Sequence, residues 1–317
     1  MCAATIAACV PYLSIKLAWL SGSTVGWSDP EEAKSSALYV GNAISMGMEV
    51  MAVLVVLAFT FPWGRRVPAW LVLTPMWIAA GLLAPIALAV PAGSVLQLLF
   101  SSQPLVDSDG GLHGWVYGMV YTGFTLEGLG LLAAFVLYAR DRWTDVFTVR
   151  TRDVPEGATH PLQVLLARTG SVFAVVFAAV QLFWAFGGSA GLNADQLERQ
   201  GPVQQTLAGV TALLALLGAA ALLAIVGRAA RPRRLVVPLA GAWVGAAATF
   251  AWSCYLLVVV ISQPGGLGSD STAGANLTLL CGLLAGLLLG VTGAVLLAER
   301  GASRDAQSAS PIASSAP

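Results

Sequence analysis

Eight apolar stretches, each long enough to cross a lipid bilayer, occupy most of this 317-residue chain. A helix needs about 20 mostly apolar residues to span the hydrocarbon core, where only helices and closed barrels satisfy the backbone polar groups. We therefore predict an all-α polytopic membrane protein with eight transmembrane helices. The stretches are approximately 2–22, 38–61, 68–100, 114–139, 163–186, 204–227, 234–262 and 274–298.

The low charge content excludes a soluble domain of useful size. Hydrophobic residues make up 57% of the chain and charged residues 10%, whereas a soluble protein carries about 25% charged residues. The net charge is zero and only two residues are lysines, so no basic surface is predicted for nucleic acid. The lipid bilayer is the predicted surrounding, and homo-oligomerisation is left open.

The arginines predict the orientation, because loops rich in Lys and Arg stay in the cytoplasm. Thirteen of the fourteen arginines lie near 62–67, 140–168 and 228–234 or in the C-terminal tail. The alternate loops hold one Arg, one Lys and eight acidic residues. This pattern predicts a multi-pass protein of the plasma membrane with both termini cytoplasmic.

The two halves of the sequence resemble each other at an offset of 165 residues, which predicts an internal repeat. The aligned pairs are Trp19 with Trp184, Gly22 with Gly187, Gly26 with Gly191 and, at nearly the same offset, Trp77 with Trp243. Four helices are an even number, so two tandem units would have parallel orientation. The predicted domains are a four-helix unit at 1–145, a cytoplasmic linker at 146–162, a second four-helix unit at 163–300 and a disordered cytoplasmic tail at 301–317.

The third apolar stretch is long and contains Pro75, Pro85 and Pro91. Proline removes a backbone donor and clashes with the preceding turn of a helix. We therefore expect this helix to be kinked, tilted or broken near its outer end.

No metal or cofactor is predicted. Four cysteines are scattered through the chain: Cys2, Cys9, Cys254 and Cys281. We interpret them as small buried apolar residues, and His113 and His160 lie in different loops. The absence of a DDxxD or HExxH motif argues against a prenyltransferase, an ionisation-type terpene synthase and a zinc protease.

Three ionisable residues lie within apolar stretches, where such groups mark functional sites unless they are paired or neutral. Glu49 and Glu127 each lie roughly 16–20 Å below the outer surface, at 1.5 Å per helical residue. Lys16 lies in the outer third of the first stretch, where its amine either extends outward or reaches Glu49. A neutral, hydrogen-bonded packing role remains open for the two acids.

The second half of the chain contains no equivalent of these acids. Glu49 aligns with the apolar residues 212–214, Glu127 falls near Leu287, and Lys16 aligns with Gln181. Acids needed only to hold a four-helix unit together should have polar counterparts. One polar pocket in the first unit is therefore predicted, with the second unit as a scaffold.

Helical spacing places further polar and aromatic side chains beside these groups or on the neighbouring third stretch. We predict that they bind substrate in an apolar, aromatic pocket that opens toward the outer half of the membrane. They are Tyr12, Lys16, Trp19, Asn42, Met46, Trp77, Tyr117, Tyr121 and Phe124.

Three segments resemble a group of actinobacterial integral membrane proteins that includes the membrane-bound terpene cyclases of drimentine and other indole meroterpenoid pathways. They are PYLSIKLAWLSGSTVG (11–26), FPWGRRVPAWLVLTPMWIAAGLLAP (61–85) and GWVYGMVYTGFTLEGLGLLAAFVLYARDRW (114–143). The resemblance covers about residues 5–300. It implies a metal-independent, protonation-initiated cyclase that acts on a lipophilic substrate such as a farnesylated indole or diketopiperazine.

Such a cyclase would use Glu49 and Glu127 as acid and base. A carboxyl group desolvated in an apolar pocket stays protonated and can act as a general acid. A second carboxyl group can share its proton and later act as the base. Aromatic faces stabilise the intermediate carbocations, so no cofactor is expected.

Two other functions fit the same residues. In a proton-coupled transporter or exporter of a small lipophilic molecule, the two acids would load and release protons. A transporter usually needs comparable sites in both halves, which favours the enzyme. The third alternative is a non-catalytic membrane scaffold or immunity protein, which the featureless second unit would suit.

Overall fold

The computed structural model describes residues 2–100, 112–151, 157–198, 200–227, 234–263 and 271–308. About 85% of the structure is helical, and these residues contain no strand. The long helices in the described residues are α1 (Cys2–Leu20), α2 (Ser36–Thr60), α3 (Ala69–Phe100), α4 (Gly114–Arg142), α6 (His160–Ala185), α8 (Pro202–Val226), α9 (Val236–Ser262) and α10 (Ala273–Ser308). The shorter elements are α5 (Thr144–Thr148), α7 (Ala194–Glu198) and 3-10 turns at Glu32–Lys34 and Pro62–Arg65.

Seven helices of the described residues, α2, α3, α4, α6, α8, α9 and α10, are long and apolar enough to span a membrane. Many large apolar side chains on these helices are exposed, which suits a lipid surrounding. The prediction of a helical multi-pass membrane protein is therefore confirmed. Helix α1 is apolar over the shorter segment Thr5–Leu20, so the count of eight spans stays a prediction.

Helix α3 is one unbroken helix, although it contains Pro75, Pro85 and Pro91. It packs against α8 and α9 along much of its length. Because neighbouring helices shield a transmembrane segment, prolines are tolerated there better than in water. The sequence predicts that the three prolines kink, tilt or break this helix. The break does not occur, because α3 is continuous from Ala69 to Phe100.

Helices α6, α8, α9 and α10 form a closed four-helix bundle in which each helix packs on two neighbours. Its centre is rich in small side chains, including Ala215, Ala246 and Ala285. A close crossing joins Gly218 of α8 to Gly245 of α9, where an added Cβ on either glycine would collide with the backbone of the other. Small residues let transmembrane backbones approach closely, so this bundle is held by backbone-to-backbone packing.

The first four long helices pack differently. Helix α1 lies against α2 and α4, whereas α3 makes its main contacts with α8 and α9. The core between α1 and α4 contains Tyr12, Ile15 and Val116, with Trp19 and Phe124 packed against it. A second core between α2, α3 and α4 includes Val56, Met76 and Leu131. Helix α1 is thus flanked by α2 and α4. Helix α3 connects these helices to the bundle formed by α6, α8, α9 and α10.

The turn after α1 depends on two glycines. Gly22 and Gly26 have φ values of 92° and 81°, which L-amino acids with a side chain adopt at a cost. The indole N–H of Trp19 donates to the Val25 carbonyl at 2.7 Å and closes the turn. This turn leads the chain from α1 to the segment before α2.

The turn after α6 repeats this arrangement at the 165-residue offset. Gly187 and Gly191 both have φ 85°, and the indole N–H of Trp184 donates to the Ala190 carbonyl at 3.0 Å. The aligned Trp and Gly residues therefore build the same local structure in both halves.

We expect Gly22→Ala to destabilise the protein by about 1 kcal/mol, because a side chain at positive φ is strained. Space is not the cause, since nothing lies within 4 Å of an added Cβ. The matched control is Gly47→Ala, which has equal space inside α2 and should be neutral or stabilising because Ala favours a helix. Thermal unfolding in detergent measures both, and a loss of equal size in both variants would contradict the strain.

The structure describes part of the predicted linker and part of the predicted tail. Thr148 ends α5, and residues 152–156 and 309–317 lie outside the described residues. Helix α10 continues to Ser308, eight residues into the predicted tail. Near its end, Glu299 accepts hydrogen bonds from the Thr159 N–H (3.0 Å) and hydroxyl (2.7 Å) and from Gln163 (2.9 Å). These bonds fasten α10 to the start of α6.

Candidate functional site

Glu49 of α2 and Glu127 of α4 meet in the interior of the first four helices. Their side chains are 5% and 3% exposed, and the two carboxyl groups are hydrogen-bonded to each other. Cys9 of α1 completes the group, because its Sγ and one oxygen from each carboxyl all lie within 4.8 Å of one another. Two acids that are 78 residues apart in the chain are therefore brought together in the interior, where both are almost fully buried.

Helices α1 and α2 are joined by three polar pairs that lie one turn apart along both helices. The Cys9 Sγ lies within 4.8 Å of a Glu49 carboxyl oxygen, and the Tyr12 hydroxyl lies within reach of Ser45. The Lys16 amine donates to the Asn42 carbonyl oxygen at 2.6 Å. Residues three or four apart share a helix face, and the numbering rises on α1 as it falls on α2, which is the register of an antiparallel pair. We call these three pairs the α1–α2 ladder.

The donors in the first two pairs of the ladder also reach backbone carbonyl groups. The Cys9 S–H has two acceptors within reach, the Thr5 carbonyl oxygen at 3.2 Å and the Glu49 carboxyl group. The Ser45 hydroxyl donates to the Gly41 carbonyl at 2.9 Å and lies within reach of the Tyr12 hydroxyl. A hydrogen bond between transmembrane helices stabilises their pairing by about 0.6 kcal/mol on average.

Lys16 is a buried cation, and its side chain is 8% exposed. Its amine lies 4.9 Å from the centroid of the Tyr12 ring and 5.1 Å from that of Trp19. The Asn42 oxygen and two aromatic faces supply what an ammonium group needs in an apolar medium. Within the described ranges Lys16 makes no ion pair within 4.0 Å, but its charge attracts Glu49.

Aromatic side chains surround the ladder. Tyr12 packs edge-on against Phe124 of α4 with ring centroids 4.9 Å apart. Trp19 packs against Trp27 at 5.7 Å, at the end of α1. The Tyr12 hydroxyl also lies within electrostatic range of Tyr255 on α9. The walls around the polar groups are therefore aromatic.

The structure gathers most of the residues predicted to bind substrate. Tyr12, Lys16, Trp19, Asn42 and Phe124 lie in or beside the ladder. On the face of α4 one or two turns from Glu127, Tyr117 and Tyr121 stack on each other with centroids 6.5 Å apart. Met46 is half-buried on α2 beside Ser45.

Trp77 lies elsewhere, at the contact between α3 and the four-helix bundle of α6, α8, α9 and α10 (the second bundle). Its indole N–H donates to the Trp243 carbonyl oxygen at 3.1 Å, and its ring stacks on Phe250 with centroids 5.2 Å apart. Trp77 and Trp243, which align in the internal repeat, thus bond to each other. The alignment of the two tryptophans indicates equivalent positions in the predicted repeat. It does not indicate that the two residues contact each other.

The sequence reasoning missed Cys9 and Ser45. The sequence pattern predicts Cys9, like the other cysteines, to be a small buried apolar residue, whereas the structure places it within 4.8 Å of Glu49. The signal was present, since Cys9 lies seven residues before Lys16 on the stripe that already contained Tyr12. Ser45 likewise lies between Asn42 and Glu49 on one face of α2.

Cys9, Glu49 and Glu127 are also the one group of three metal-ligand side chains among the described residues. One sulfur and two carboxylate oxygens suit an ion such as zinc. The Lys16 charge, which attracts Glu49, opposes a divalent cation at the same place more strongly than a single proton, because the repulsion grows with the charge of the ion.

Comparisons with protein-family models, curated proteins and solved structures found no match for this chain.

Proposed function

We propose that this protein is a membrane-embedded terpene cyclase, which protonates and cyclises the prenyl chain of a lipophilic substrate without a metal. The single observation that carries the proposal is the contact between the buried carboxyl groups of Glu49 and Glu127 inside an aromatic surrounding. Two acids at this depth are costly unless they share a proton. The resemblance to indole meroterpenoid cyclases supports a farnesylated indole or diketopiperazine as the substrate.

The reaction is an isomerisation that needs no other reactant. A proton from the carboxyl pair adds to one carbon of a terminal alkene, and the other carbon becomes a carbocation. The electrons of the next alkene form the ring bond and move the positive charge along the chain. Loss of a neighbouring C–H proton to a carboxylate forms the final alkene and restores the pair, so atoms and charge balance.

Aromatic and apolar side chains support such a reaction in two ways. The negative face of Phe124 can stabilise a passing carbocation, and so can the faces of Tyr12 and Trp19 that are turned away from the Lys16 ammonium group. A pocket that excludes water prevents the carbocation from being captured as an alcohol. A substrate with a prenyl chain is soluble in lipid and can enter between helices.

The proposed arrangement in the membrane has eight spans in two parallel four-helix units. The spans are the seven long apolar helices and, in addition to them, α1. The ladder to α2 and the contact with α4 support α1 as a membrane helix, and the repeated Trp and Gly turn supports the two units. The proposed units are 1–145 and 163–300 in the plasma membrane, with both termini in the cytoplasm.

The test is cyclisation in deuterated buffer. Membranes containing the protein, incubated in D2O with a farnesylated indole, should yield cyclic products that carry one deuterium from the initiating acid. The double variant Glu49→Gln/Glu127→Gln should yield none above background, because an amide neither donates nor accepts the proton. The matched control is Glu31→Gln/Glu198→Gln, which changes two exposed acids and should react as the original protein does.

Absence of deuterated cyclic product from the original protein, with both farnesylated indole and farnesylated diketopiperazine, would refute the cyclase. Export of the unchanged probe from vesicles, driven by a proton gradient and lost in the double variant, would instead identify a proton-coupled transporter.

A further inference from the structure

The C-terminal end of α1 and the turn that follows it contain two side-chain donors with unused capacity. A lysine ammonium group has three N–H donors, and among the described residues that of Lys16 donates to the Asn42 oxygen alone. The indole N–H of Trp27 is buried and has no hydrogen-bond partner in the described part of the chain. Aromatic faces stabilise the Lys16 charge, but an oxygen acceptor stabilises a buried donor more strongly. Both side chains can therefore donate to an oxygen that the protein does not supply.

Both donors lie next to the ring of Trp19. The Trp19 ring centroid is 5.1 Å from the Lys16 amine and 5.7 Å from the Trp27 ring centroid. The Trp19 N–H is itself occupied, because it donates to the Val25 carbonyl at 2.7 Å. The two donors thus belong to one cluster of side chains, which the turn after α1 holds together.

Lys16 brings a positive charge into this cluster without a carboxylate in contact. Its side chain is 8% exposed, and within the described ranges it makes no ion pair within 4.0 Å. Lys34, by contrast, is exposed and pairs with Glu31 at 2.7 Å. Removing an ammonium group from water is costly unless acceptors or an opposite charge compensate. An anionic oxygen is therefore the ligand group that Lys16 stabilises best, followed by an amide carbonyl.

Aromatic surface leads from Lys16 to the two buried acids. Tyr12 lies about one helical turn from Lys16 and from Cys9 on the same face of α1, and its ring packs on Phe124 with centroids 4.9 Å apart. The levels of Lys16 and Cys9 are about two helical turns, or roughly 10 Å, apart. A farnesyl chain is long enough to cover this distance. A prenyl ligand with its polar end at Lys16 would thus place its other end at the level of the acids.

The geometry points to Lys16 as the residue that binds the polar end of the ligand, through an oxygen that accepts a hydrogen bond from its ammonium group. Trp27 is the second donor, and the ligand is a prenyl chain that ends in a carboxylate or an amide. The bound polar end fixes which alkene of the chain lies beside the carboxyl pair. That last step rests on the proposed function, whereas binding of the polar end does not.

Thermal unfolding in lipid nanodiscs, measured over a range of probe concentrations, tests this site. A ligand that binds the folded protein raises its unfolding temperature by an amount that reports the Kd. Three probes share the farnesyl chain and differ at one end: farnesylacetic acid, farnesylacetamide and the hydrocarbon with a methyl group in place of the polar end. We expect the acid to bind most tightly, the amide next, and the hydrocarbon on the order of tenfold or more weaker than the acid. Equal Kd values for the three probes, or no shift with any of them, would overturn the site.

The variant Lys16→Met should raise the Kd of the acid to that of the hydrocarbon and leave the hydrocarbon unchanged. Partition of a probe into the lipid is the same for both proteins, so the comparison isolates the side chain. Lys16→Arg should keep the preference for the acid, because a guanidinium group also donates to a carboxylate. The matched control is Lys34→Met, which removes an exposed lysine and should change no Kd. An unchanged Kd of the acid in Lys16→Met would overturn the role of Lys16.

Lys16→Gln keeps the test valid if Lys16→Met does not fold. The amide of glutamine retains N–H donors but has no charge. The acid should then lose its advantage over the amide probe, whereas both should still bind more tightly than the hydrocarbon. A retained advantage of the acid would show that the Lys16 charge does not bind it.

The second donor is tested in Trp27→Phe, which retains an aromatic ring and removes the indole N–H. We expect weaker binding of the acid and the amide, by severalfold, and no change for the hydrocarbon. The control is Trp63→Phe, which changes an exposed tryptophan. An equal loss for all three probes would show that Trp27 packs against the chain, and would overturn its role as a donor.

These measurements separate two failures, because binding is read without turnover. A preference for the acid that depends on Lys16, with no deuterated cyclic product, would keep the polar-end site and refute the cyclase. Deuterated product from a protein whose Kd values do not change in Lys16→Met would keep the cyclase and refute the polar-end site.

Discussion

Replacing Glu127 with Gln is expected to slow cyclisation of a farnesylated indole by on the order of 10³-fold, within the usual contribution of a general acid. The amide has nearly the same shape as the carboxyl group but holds no proton that it can transfer to an alkene. Initial rates in membranes, with equal amounts of folded protein in each sample, measure the loss.

Two comparisons make the Glu127→Gln result specific. Glu198→Gln makes the same change at an exposed position of α7 and should leave the rate unchanged. Glu127→Asp keeps a transferable proton but draws it back by about one bond length, so its rate should fall between those of the original protein and Glu127→Gln. A Glu127→Gln rate within a factor of about three of the original would exclude Glu127 as the acid.

The second large effect is on folding, at the crossing of α8 and α9. Gly245→Leu is expected to destabilise the protein by about 3 kcal/mol or more, because the new side chain meets backbone atoms that cannot move away. The added Cβ would collide with the Leu214 carbonyl oxygen and with Gly218. Yield of monodisperse protein and its unfolding temperature in detergent measure the loss.

Gly293→Leu is the control for the folding experiment. Gly293 lies in α10, and nothing lies within 4 Å of an added Cβ there. Gly293→Leu adds the same apolar side chain as Gly245→Leu, but its Cβ does not collide with the backbone of a neighbouring helix. Equal yields and unfolding temperatures for the two variants would contradict the close crossing.

The fold was predictable from the sequence because the membrane requires long apolar helices. Helices α2, α3 and α4 begin and end within a few residues of the predicted stretches, since charged or turn-forming residues bound them. The three prolines of α3 were a weaker guide. Their effect depends on whether neighbouring helices enclose the segment, and that is a property of the packing of α3 on α8 and α9.

The site was predictable in part. The depth of Glu49 and Glu127 in apolar stretches singled them out, and their contact agrees with one polar pocket. The sequence does not contain the rotation of α1 against α2, which brings Cys9 to Glu49. It also does not show that α3 turns toward the second bundle, which takes Trp77 to Trp243 and Phe250. Helical spacing gives the neighbours on one helix, but contacts between helices depend on packing angles.

The α1–α2 ladder also bears on how the chain enters the bilayer during synthesis. A lysine at the centre of a membrane segment opposes insertion by about 3 kcal/mol, and Lys16, in the outer third of α1, opposes it by less, so α1 by itself is a weakened insertion signal. Asn42 reduces that opposition only when α2 has emerged and lies beside α1. If α1 is a membrane span, as proposed above, we expect it to insert together with α2 as a hairpin, because the ladder forms only when both helices are present.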